Sequence, residues 1–70
     1  MVEVFVTNVK RAAAAKEILA LLRRNFPDVK INFDLEDCDK VLRVEGDDFL
    51  PGKIMTLVNE SGFQCRVMEG

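Results

Sequence analysis

The apolar residues of this chain switch between two spacings, every second position and every third or fourth, and the order of the switches leaves few architectures open. Val2, Val4 and Val6 alternate with Glu3 and Phe5. A β-branched run that is apolar on both faces predicts a central strand. From Lys10 to about Asn25 the chain turns to Ala12 through Ala15, Ile18, Leu19, Leu21 and Leu22. These are strong helix formers, and Ala15, Ile18 and Leu22 share one helical face. Pro27 with Asp28 closes that helix, because proline cannot continue it and biases Phe26 away from helical angles. Val29, Ile31, Phe33 and Leu35 then alternate with Lys30, Asn32, Asp34 and Glu36, the pattern of a half-buried strand. The polar run from Glu36 to Lys40 suits a hairpin. Val41 to Glu45 returns with Leu42 and Val44 on one face, and Gly46 ends that strand. Phe49-Leu50-Pro51-Gly52 reads as a helix entry, followed by a shorter helix over Lys53 to Ser61 with Ile54, Leu57 and Val58 inward and Gly62 as its cap. Phe63, Cys65 and Val67, alternating with Gln64, Arg66 and Met68, form the closing strand.

The order is βαββαβ. Two right-handed split β-α-β crossovers joined by a hairpin give an α+β, ferredoxin-like sandwich: a four-stranded antiparallel sheet with two helices on one face. Three connections then gather at one end, holding Asn8 to Ala14, Asp37 to Lys40, and Gly62 with Phe63. With 70 residues there is room for one core, so residues 1–70 are expected to form one domain. A chain this short buries only about 60% of its unfolded surface and gains from an oligomeric contact. Its 49% hydrophobic content and net charge of −2 exclude a disordered chain. No apolar run approaches the roughly 18 residues of a spanning helix, so no membrane role is expected. Near-balanced charge argues against nucleic acid as partner. Met1 to Thr7 shows no basic-then-apolar leader, which leaves the cytoplasm as the expected location.

The inventory of reactive groups is thin. The chain has no His, Tyr or Trp and no glycine-rich phosphate loop, so neither an enzyme nor a cofactor is expected. Glu36, Asp37, Asp39, Glu45, Asp47 and Asp48 do not have calcium-loop spacing and read as a solvated rim. Cys38 and Cys65 lie 27 positions apart, which is no metal-ligand spacing. Cys65, in register with Phe63 and Val67, reads as a small core residue. Cys38 lies in the polar hairpin, where two readings stand: an ordinary surface thiol, or a reactive, metal-recruiting one. Asp37 and Asp39 beside it are expected to raise its pKa.

Over nearly its whole length the chain resembles the heavy-metal-associated domain family, which includes small copper and zinc chaperones and the metal-binding domains of P-type ATPases. The residues that carry the resemblance are Phe5-Val6-Thr7-Asn8-Val9-Lys10, the run from Asp34 to Gly46, and Ser61-Gly62-Phe63. In that family the loop into the first helix reads Met-x-Cys-x-x-Cys, and its two thiolates bind a soft ion. Laid on this chain, the two cysteines fall at Arg11 and Ala14, with Val9 and Lys10 before them. A guanidinium and a methyl group cannot replace thiolates, and Arg11 puts fixed positive charge where the family holds a cation. Phe63 falls where bacterial members carry an aromatic beside the metal loop. The resemblance therefore implies a kept scaffold without its metal site, and a metal ligand is not expected. Cys38, alone or shared across a dimer, is the alternative site for Cu(I) or Zn(II).

Two surfaces are candidates for a protein partner or for self-association. Lys10, Arg11, Lys16, Arg23 and Arg24 place basic charge on the first loop and helix. That charge is either a solvated face or a dock for an acidic partner. The resemblance turns Phe5, Thr7 and Val9 toward the helices, leaving Val2, Val4 and Val6 on the open face of the sheet beside Val41 and Met68. Exposed apolar stripes of this kind mark interfaces. A one-residue slip in register would reverse the assignment.

Overall fold

A computed structural model describes residues 1–34 and 40–68. The expected hairpin turn, and with it Cys38, Asp37 and Asp39, lies outside the described residues. The elements run β1 (Val2–Thr7), α1 (Ala12–Asn25), β2 (Lys30–Asp34), β3 (Val41–Glu45), α2 (Pro51–Glu60) and β4 (Cys65–Val67). The strands form one antiparallel sheet in the order β2-β3-β1-β4. This is the ferredoxin-like α+β arrangement, with β1 central as its two apolar faces require.

One core holds both helices against the sheet. Ala15, Ile18 and Leu22 of α1 and Ile54 and Val58 of α2 are buried with Phe5, Ile31, Leu42 and Val44 of the strands. Each large side chain taken fully out of water here contributes about 2 kcal/mol. Val9 and Phe49, from the loops before the helices, close the core at its ends.

The boundaries of α1, α2 and β4 differ from the sequence expectation for backbone reasons. α1 begins at Ala12 instead of Lys10, since Arg11 is still extended (φ −101°, ψ 138°). α2 begins two residues before Lys53, at Pro51, whose fixed φ and missing N–H suit the first helical turn. It ends at Glu60, and Gly62 at φ +95° provides the left-handed residue that completes its cap. The Gly62 N–H donates to the Asn59 carbonyl and the Phe63 N–H to the Val58 carbonyl, the paired bonds of a Schellman motif. That cap also shortens the last strand. The Phe63 donor is used by the helix and the Gln64 N–H by the Asn8 side chain (2.8 Å), so pairing with β1 starts only at Cys65.

Gly46 does more than end β3. A Cβ built on it would lie 2.6 Å from Cγ1 of Val29, so only glycine lets the end of β3 approach the segment leading into β2.

Candidate functional site

The end of the fold where three connections meet is held by two side chains. Thr7, the last residue of β1, is 7% exposed. Its hydroxyl donates to the Lys40 carbonyl at 2.7 Å and accepts the Val9 N–H at 3.2 Å. Its backbone N–H reaches the same Lys40 carbonyl at 3.3 Å. Lys40 sits at φ +50°, a left-handed angle that costs a non-glycine residue roughly 1 kcal/mol, and these bonds hold it there. Asn8 then accepts the Gln64 N–H and ties the loop to the start of β4. Sequence reasoning turned Thr7 inward without giving the hydroxyl or Asn8 a task. The available signal was a polar side chain on the core face of a strand, which must find partners when buried.

On this frame Asn8, Lys10, Arg11, Ala14 and Phe63 line an open concavity of about 420 Å³. The loop positions singled out in the sequence are thus brought together around Phe63, with Val9 fully buried beneath them. Arg11 is the N-cap of α1, makes no side-chain capping bond, and is followed by a first turn without acidic residues. Lys10, Arg11 and Lys16 are exposed. Their charge adds to the positive end of the helix dipole instead of offsetting it. Among the described residues no three His, Cys, Asp or Glu side chains are grouped to hold a metal ion.

The basic group does not form one patch. Arg23 and Arg24 stand in the last turn of α1, about 20 Å along the helix from Arg11, and the Arg23 guanidinium turns to the Ile31 carbonyl (3.5 Å). Their charge complements the negative helix end, a local role that makes them no part of the loop surface.

Cys65 lies opposite Thr7 in the β1–β4 register and is half-buried against the core. Burial pushes its thiol up from 9.0 to about 11. That shift disfavours the thiolate form on which nucleophilic attack and metal ligation depend.

The open face of the sheet carries the second surface. The register sets Val4 between Arg43 and the backbone of Met68, and Val6 between Val41 and Arg66. Asn32 and Asp34 extend the two rows onto β2, and Lys30, Glu45 and Val2 make a third. Val2 is 48% exposed, while Val4, Val6, Val41 and Met68 are half-buried. Phe5, in the same strand, is 0% exposed, so the register is the one that leaves the valines outward.

No protein-family model matches this chain, and no curated protein matches it in sequence. Among the described residues no helix is long and apolar enough to cross a membrane.

Proposed function

We propose that this chain is a non-catalytic domain of heavy-metal-associated type that has lost the thiolate metal site and acts through protein contact. The observation that carries the reading is the concavity at the start of α1. In it Arg11 and Ala14 occupy the two positions that the resemblance assigns to ligands, beside Phe63 and Lys10. A soft cation entering this concavity meets two fixed positive charges and an uncapped helix N-terminus, and finds no thiolate. The same charges on an exposed loop suit an acidic protein surface, raising its rate of encounter more than its final affinity.

Competition titration of the reduced protein with Cu(I) and Zn(II) tests the metal half of this reading. The native chain is expected to bind neither ion at better than about micromolar affinity. Arg11→Cys with Ala14→Cys places two thiols one turn apart at a helix start, where thiolates are favoured, and is expected to gain stoichiometric binding. Tight binding by the native chain overturns the reading, and loss of that binding in Cys38→Ser assigns it to Cys38.

A further inference from the structure

Resting on the protein-contact reading, we propose that the occupant of the open sheet face is a second copy of this chain. The copies pack face to face about a two-fold axis that runs parallel to the strands between β1 and β3. The helices cover the other side of the sheet, and Val2, Val4, Val6, Val41 and Met68 leave an apolar strip on this one.

The charges around the strip select the occupant. A two-fold contact sets one patch against itself, so the patch must be self-complementary. Lys30, Arg43 and Arg66 stand on this face with Asp34 and Glu45, a mixed set near neutrality. The basic loop around Arg11 carries one sign and would repel its own copy. Rotation about the proposed axis lays β1 over the partner's β3 and β4 over its β2. In the observed register Val6 then meets Val41, Val4 covers the stem of Arg43, and Arg66 meets Asp34, each contact occurring twice. No like charges are opposed along these rows. Aligned sheets cross at about 30°, which shifts strands about 7 Å from the axis by roughly 4 Å, within the reach of an arginine.

Four strands of about five residues bury about 500 Å² per copy, or on the order of 1,000 Å² for the pair, at the lower edge of specific interfaces. An interface of that size belongs with weak, transient contacts, so the affinity expected is low.

The test follows the mass of the reduced chain by sedimentation equilibrium from about 5 µM to about 1 mM, a range suited to weak association. Mass is expected to rise from 7.9 kDa toward twice that value. Asp34→Arg and Arg66→Asp each oppose like charges and are expected to weaken association at least tenfold. An equimolar mixture of the two pairs opposite charges at both positions and is expected to recover it. Val4→Lys puts a charge in the middle of the strip without touching that pair, and is expected to be monomeric. Circular dichroism of each variant verifies the fold. A native chain that stays monomeric, a dimer indifferent to these substitutions as pairing along the β2 edge would be, or a mixture that fails to recover overturns the proposal. Mass and metal binding are read separately, so a monomer leaves the metal reading to its own titration.

Discussion

Replacing Thr7 by valine keeps the shape of the side chain and deletes the hydroxyl that joins β1, the loop after it and the residue before β3. Two bonds are lost, one to the Lys40 carbonyl and one from the Val9 N–H. The Lys40 carbonyl retains the Thr7 N–H, so its loss is about 1 kcal/mol, whereas the Val9 donor sits in a fully buried residue and costs about 1–3 kcal/mol unpaired. The methyl gained returns up to about 0.8 kcal/mol. The net expectation is a loss of about 2 kcal/mol, or roughly 10 °C in Tm for a domain of this size. Urea and thermal denaturation measure the total, and hydrogen exchange at the Val9 amide locates it, with faster exchange expected there than at the Leu42 amide. Thr7→Ser keeps both bonds, gives up one methyl, and is expected to cost about 1 kcal/mol. A valine variant within about 0.5 kcal/mol of the native chain, or a serine variant less stable than the valine one, refutes the assignment.

Two further expectations concern packing and ionisation. Gly46→Ala drives a Cβ into Val29 and is expected to cost about 1–3 kcal/mol, part of it recovered when Val29→Ala is added, as a double-mutant cycle by urea denaturation will show. Because burial raises the folded pKa of Cys65 from 9.0 to about 11, the unfolded chain releases the thiol proton first. Its contribution to stability is intact below pH 9 and lost as pH rises toward 11. The difference between native and Cys65→Ala urea midpoints, followed with pH, measures that loss, and a flat difference contradicts it.

Where burial drives folding, the sequence was enough. The alternation of β2 and the helical spacing of Ala15, Ile18 and Leu22 predicted elements whose inward residues face the core, with Ile31, Ala15, Ile18 and Leu22 buried and Phe33 half-buried against them. Turn chemistry blurred the boundaries. Phe63 continues the apolar alternation of β4, yet its N–H serves the α2 cap, a competition that apolar pattern alone does not register. The candidate site was legible as positions and less so as a surface. Arg11, Ala14 and Phe63 do come together, while Arg23 and Arg24, adjacent to them in composition, stand a full helix length away. That Thr7 needed partners was legible from its place on the core face, but Lys40 as its partner and Gln64 as that of Asn8 were not, because hydrogen bonds between distant segments leave no local period.

The placement of β1 also governs the order of events during folding. Its partners are β3 and β4, so β1 finds its first neighbour only after β2 and β3 have been made, and its second only with β4, the last strand of the fold. The β2–β3 pair, by contrast, closes over a short connection and costs little loop entropy. Refolding from denaturant should then be limited by the arrival of the two chain ends on a preformed hairpin, the slow, non-local step of sheet assembly. Until that step, β3 presents a bare edge to other nascent chains.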